Sequence, residues 1–133
     1  MSLFLVRHAK AGKRSKWDDD DSLRPLVEEG VRQAEVIAAS ISPLQPTALY
    51  SSPFLRCVQT LEPLGKATGL SVVKHELLAE GVDFTGTVDW MHTLADGAVM
   101  CSHGDVIPEV IDALERRGME VSGFRESRKG SVW

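Results

Sequence analysis

Four short stretches of this 133-residue chain carry groups able to do chemistry on an anion. Arg7-His8 follows the apolar run Leu3-Phe4-Leu5-Val6. Ser51-Ser52-Pro53 follows Ala48-Leu49-Tyr50, with Arg56 one turn later. A loop after Leu70–Val73 carries Glu76 and Glu80, and Ser102-His103-Gly104 follows Ala98–Cys101. The set is two imidazoles, two guanidinium groups and a carboxylate. Arginine keeps its charge at all working pH values, and its planar fork matches phosphoryl oxygens. A neutral imidazole is a nucleophile able to hold a covalent phosphoryl group. A second imidazole can donate a hydrogen bond to the equatorial oxygens as charge shifts. A carboxylic acid at the rim can protonate a leaving group. Such a set needs no metal and no cofactor.

These groups meet only if the strands before them share one direction. Ligands of an open parallel sheet bind outside the carboxyl ends of the strands. Leu3–Val6 is a continuous apolar run, as in a strand buried on both faces. The polar stretch from about Lys10 to Arg24 reads as a long loop. Val27, Val31, Ala34, Ile37, Ala38 and Ile41 recur at helical spacing, which predicts a helix from about Val27 to Ser40, closed by Pro43 and Pro46. A second helix is predicted from about Pro53 to Thr68, on Leu55, Val58, Leu61 and Leu64. Pro63 should kink it or mark a weak point, and Gly69 should stop it. Leu77 to Gly86 reads as loop, Thr87 to Leu94 as a helix, and Pro108 to Arg117 as a last helix. Ser131-Val132-Trp133 reads as a fifth, edge strand. The alternation predicts one α/β domain over residues 1–133, a three-layer α/β/α sandwich with a mostly parallel central sheet.

Composition narrows the functions. Hydrophobic residues are 43% and charged residues 26%, as in an ordinary globular protein. Lys plus Arg is 15 and Asp plus Glu is 19, a net charge of −4. That balance argues against nucleic-acid and anionic-membrane partners, while leaving room for a local basic pocket. No apolar run approaches the ~18–20 residues of a membrane span. Cys57 and Cys101 have no zinc spacing and read as reduced thiols in a cytoplasmic protein.

Three blocks in order now carry a resemblance. Leu5–Gly12, LVRHAKAG, resembles the Arg-His-Gly motif of the histidine phosphatase superfamily (phosphoglycerate mutase-like). Ser51–Thr60, SSPFLRCVQT, is similar to its second block, and Ser102–Asp105, SHGD, to its second-histidine block. Ala9 replaces the usual glycine after the first histidine. With Asp21-Ser22-Leu23-Arg24-Pro25-Leu26, this resembles the small SixA-like branch of phosphohistidine phosphatases. A second relative is the phosphatase-like domain of some two-domain Nudix hydrolases. No Nudix box occurs here, so no such partner domain is expected.

The resemblance implies that His8 is the nucleophile, that Arg7 and Arg56 clamp the phosphoryl oxygens, and that His103 completes the cradle. Leu78-Ala79-Glu80 fits the family's acid pattern, which makes Glu80 the candidate acid. Ser52 would offer its hydroxyl or backbone N–H to the phosphate. The expected substrate is a phosphorylated protein histidine. The rivals are a small phosphorylated metabolite, such as a nucleotide or sugar phosphate, and a non-catalytic phospho-ligand module.

Other residues have plainer readings. His75 and His92 lie outside every block and read as surface or structural. Trp17 is a candidate cap for the pocket mouth, while Trp90, Met91 and Met100 read as packing. Asp18 to Asp21 fail as a calcium loop, because Leu23 stands where glycine is needed and Pro25 follows. Arg24 either pairs with one of these aspartates or reaches the substrate. Lys10, Lys13, Arg14 and Lys16 either steer anions or keep the loop soluble.

Overall fold

The computed structural model describes residues 3–121. Strand β1 (Phe4–Arg7) lies at one edge of a four-stranded sheet, followed in space by β4 (Ala98–Ser102), β2 (Ala48–Ser51) and β3 (Val72–Lys74). All three pairings are parallel. Between the strands run α1 (Glu28–Ile41), α2 (Leu55–Thr68) and α3 (Phe84–Met91), and α4 (Ile107–Arg116) follows β4. The expected fifth strand, Ser131–Trp133, lies outside the described residues. Among those residues no helix is long and apolar enough to cross a membrane.

Side-chain alternation along the strands builds two cores. On one face Leu5, Ala98 and Met100 pack with Val88 and Met91 of α3 and Val110, Ile111 and Leu114 of α4. On the other, Val6, Leu49, Val99 and Cys101 pack with Ile37 and Ile41 of α1 and Leu61 and Leu64 of α2. The result is the three-layer α/β/α sandwich. Fully burying each such side chain stabilises the fold by roughly 1.5–3 kcal/mol. Tyr50 and Trp90 meet edge to face, and His75 stacks on Trp90 at 4.1 Å, so both His75 and Trp90 serve the packing.

Two predicted elements moved. Helix α3 starts at Phe84 rather than Thr87, because Asp83 caps it by accepting the Thr85 N–H at 3.0 Å. Helix α2 continues across Pro63, which withholds the N–H that would have reached the Gln59 carbonyl. It stops at Gly69, whose φ of 75° is a left-handed cap.

The polar stretch after β1 is more ordered than its composition predicts. Ala11 bridges Leu26, Gly12 donates to the Pro25 carbonyl, and Val27 donates to the Lys10 carbonyl. Short 3₁₀ turns at Arg14–Lys16 and Asp21–Leu23 fold the remainder back over the strand ends. Gly30 of α1 makes this possible. A Cβ there would stand 2.0 Å from the Lys10 carbonyl oxygen, which is backbone and cannot swing away. Gly30→Ala is therefore expected to lower unfolding free energy by about 1–3 kcal/mol in chemical denaturation, despite alanine's better helix propensity. A neutral or stabilising result would mean that the loop is not packed against α1.

Candidate active site

Sheet register brings the distant residues together. Arg7 pairs with Ser102, and Ser51 pairs with Cys101. Just beyond these pairs, His8 N–H donates to the Ser102 carbonyl at 3.1 Å and Ser52 N–H to the Cys101 carbonyl at 3.0 Å. His8, His103 and Ser52 thus form one row across the carboxyl ends of β1, β4 and β2. The His8 and His103 ring centroids are 5.5 Å apart.

His8 is buried, and its Nδ1–H donates to the Ala9 carbonyl at 2.8 Å. The proton therefore sits on Nδ1, and Nε2 keeps its lone pair. Burial is the main reason the His8 pKa falls to about 3, and the nearby His103, Arg56 and Arg7 add to it against the Ala9 hydrogen bond. The ring stays neutral at physiological pH. Thr60 fixes the next residue by accepting the Ala9 N–H at 2.9 Å while donating to the Arg56 carbonyl at 2.7 Å. A hydroxyl on α2 thus ties the histidine segment to the arginine segment.

Arg7 lies with its guanidinium against Gly104. A Cβ at 104 would come within 2.7 Å of Cζ and Nη2, so only glycine allows this approach. Burial lowers the Arg7 pKa, and the Asp105 charge opposes that. Arg56, 1% exposed, donates from Nη1 to the Asp21 carbonyl at 2.9 Å and from Nη2 to Asp21 Oδ2 at 3.1 Å. Nη2 also reaches Glu80 Oε2 at 3.2 Å. The buried Arg56 Nε has no partner within the protein. Glu80 Oε1 accepts from Arg14 at 3.0 Å, so this carboxylate stands at the rim between two guanidinium groups.

Arg24 is held rather than free. Its Nε donates to Asp21 Oδ1 at 2.9 Å, and Nη1 donates to the Gly12 carbonyl. The aspartate pairing of its two sequence readings is present, and the side chain also lines the cavity. The sequence did not single out Asp21 as a site residue, yet it touches Arg14, Arg24 and Arg56. Its pKa is lowered: burial opposes the shift, but the hydrogen bond from Arg24 and the Arg56 charge outweigh it. Ser52 is fully buried and bonds His103 Nε2 through Oγ at 2.8 Å. Its N–H is taken by Cys101, so the expected backbone contact to a phosphate is not available.

A cavity of about 490 Å³ opens over this row, lined by Arg7, His8, Arg24, Arg56, Glu80 and His103 and rimmed by Lys10, Lys13, Arg14 and Asp105. Lys16 and Trp17 are not on its lining. Trp17 instead donates from Nε1 to the Asp20 carbonyl at 2.9 Å, so the expected cap at the mouth does not form. A neutral imidazole and guanidinium groups line one polar, open cleft. That arrangement can attack and hold a phosphoryl centre.

The chain is similar to known proteins. A family model described as the histidine phosphatase superfamily (branch 1) matches residues 3–90. An 8-oxo-(d)GTP phosphatase of Mycolicibacterium smegmatis is 33% identical over 138 residues, covering 99% of this chain and 43% of the relative. The chain thus spans less than half the length of that relative. Among solved structures, the protein histidine phosphatase SixA complexed with tungstate superposes with a TM-score of 0.72 at 24% identity, over 84% of this chain and 74% of the other. A mycobacterial glucosyl-3-phosphoglycerate phosphatase does so with a TM-score of 0.69 at 18% identity, over 86% and 79%. These two likenesses concern the fold.

Proposed function

The chain belongs to the histidine phosphatase superfamily, and from that premise we propose that it hydrolyses phosphoryl groups through a covalent phosphohistidine on His8. The observation that carries this reading is the His8 ring, buried and neutral, with its proton held on Nδ1 by Ala9 and Nε2 left bare. Nε2 attacks phosphorus, and the bond to the leaving atom breaks with its electron pair and a proton. Arg7, Arg56 and His103 hold the equatorial oxygens as charge shifts. Water then attacks phosphorus of phospho-His8. It forms inorganic phosphate, returns the electron pair to Nε2 and sheds a proton. Glu80 in its protonated form supplies the leaving-group proton, and the carboxylate so formed later receives the water's, which restores the acid.

Phosphohistidine in a protein is the favoured substrate. The cavity opens along the exposed side chains of Lys10, Lys13, Arg14 and Asp105, which leaves room for an imidazole borne on a larger partner. A nucleoside triphosphate is the second reading, supported by the printed name of the mycolicibacterial relative. The buried free thiols of Cys57 and Cys101 fit a reducing compartment, and we place the chain in the cytoplasm.

A substrate panel tests both readings. A phosphohistidyl peptide is expected to give a kcat/KM at least about tenfold above that of (d)GTP or 8-oxo-(d)GTP. The reverse order selects the nucleotide reading, and no turnover of any phosphoryl compound leaves only a binding module. Glu80→Gln is expected to slow alkyl phosphates by ~10² and phosphoramidates much less, since imidazole leaves more readily than an alkoxide. Equal effects on both classes would remove Glu80 from the acid role.

A further inference from the structure

Ser52 and His103 make a buried contact whose chemistry is more specific than a phosphate ligand would require. Ser52 Oγ lies 2.8 Å from His103 Nε2 and accepts the Phe54 N–H at 3.2 Å. A hydroxyl has one proton and two acceptor sites. Phe54 occupies one acceptor site, which leaves the proton and one lone pair to face the imidazole. On the far side of the ring, His103 Nδ1 is buried and has no partner within the protein. The ring itself lines the cavity and is 1% exposed.

In a neutral imidazole one nitrogen carries the proton and the other a lone pair, and the partner of one decides the state of both. We propose that the Ser52 hydroxyl donates to His103 Nε2 and so fixes the neutral Nδ1–H tautomer, with that N–H aimed at the phosphoryl oxygens. Ser52 is then a positioning residue acting through His103. This rests on the reading of the cavity as a phosphoryl cradle.

The groups in contact with the ring are Ser52, the Cys57 thiol at 3.6 Å from Nε2, the Phe54 ring at 4.9 Å and the His8 ring at 5.5 Å. None of these is a carboxylate. Arg7 and Arg56 already bring two positive charges to the cradle, so a third would be added against repulsion. A serine donor gives His103 the hydrogen bond without the charge.

The test is the ¹⁵N signature of the histidine side chains in the full chain near pH 8, where the two neutral tautomers give distinct long-range couplings. His103 is expected to show a protonated Nδ1 and a bare Nε2. In Ser52→Ala the Nε2–H form should grow and kcat should fall about tenfold, the worth of one neutral hydrogen bond, with Ser52→Thr restoring both. A wild-type spectrum with Nε2–H or with both nitrogens protonated overturns the proposal, as does an unchanged tautomer in Ser52→Ala. Should Ser52→Ala not fold, the wild-type spectrum alone decides. The spectrum needs no turnover, so a protein that hydrolyses nothing would sink the proposed function while leaving the tautomer result readable.

Discussion

His8→Ala is expected to end turnover and to leave the protein without any base-stable phosphoryl label. Phosphohistidine survives alkali and is lost in acid, so incubation with a ³²P-labelled phosphoryl donor followed by an alkaline quench reads the intermediate directly. The wild type should carry label that acid removes. The variant should carry none, and its kcat should drop by ~10⁴ or more, as when an enzyme loses its only nucleophile. Phosphate binding should largely persist, because Arg7 and Arg56 are held by Gly104, Asp21 and Glu80 rather than by His8. Label at wild-type stoichiometry in the variant would place the nucleophile elsewhere.

The same residue sets a pH signature in stability. An unfolded His8 takes a proton near the ordinary pKa of about 6.5, whereas the folded one resists until about 3. Between those values the unfolded chain binds more protons, so stability falls as pH drops through this window. Thermal unfolding from pH 7 down to 4 should show that slope, and His8→Ala should flatten it. A variant curve parallel to the wild type would mean that the imidazole is not held neutral by burial.

The legible parts of the fold and site were those written in local chemistry. Apolar runs mark the strands, and His8 and His103, just past β1 and β4, face the cavity because parallel register places every carboxyl end on one edge. His8 and His103 are thus legible as one site from the sequence, since each follows an apolar run of the same parallel sheet. What stayed hidden depended on contacts between segments that carry no periodicity. Asp21 sits in a run of four aspartates with nothing to distinguish it. Only the return of the loop through the Ala11–Leu26 bridge brings it to Arg56. Ser52 was recognised as a site residue, but its direction was not, because strand pairing commits its N–H to Cys101. Asp83 is a strong cap signal in hindsight, and its Asx geometry at Thr85 explains the early start of α3. The polar stretch after His8 reads as a plain loop because its charges carry no periodicity. Three of them, Arg14, Asp21 and Arg24, are instead satisfied by each other.

Arg56→Ala is expected to cost both stability and catalysis, and Arg56→Lys separates the two. The guanidinium is almost wholly buried, stands 4.9 Å over the Phe54 ring and donates to Asp21 twice and to Glu80 once. Truncating it leaves two carboxylates facing each other with only Arg14 and Arg24 to compensate. Removing one partner of a fully buried pair costs ~3–5 kcal/mol, and the partial exposure of Asp21 and Glu80 brings the expected loss to about 2 kcal/mol. Lysine keeps the positive charge but lacks the fork, so it should recover more than half of that stability in denaturant titrations. It should not recover the reaction. Three of the five guanidinium N–H groups hold Asp21 and Glu80, which leaves the Nε–H and one Nη1–H, in one plane, for a phosphoryl group. An ammonium cannot hold the aspartate and the phosphoryl oxygens at once. Both variants should therefore lose ~10³ in kcat/KM, with inorganic phosphate becoming a weaker inhibitor in each. If lysine restores activity along with stability, Arg56 contributes only charge. If alanine unfolds the protein outright, the lysine variant still decides, because its fold and its turnover are measured separately.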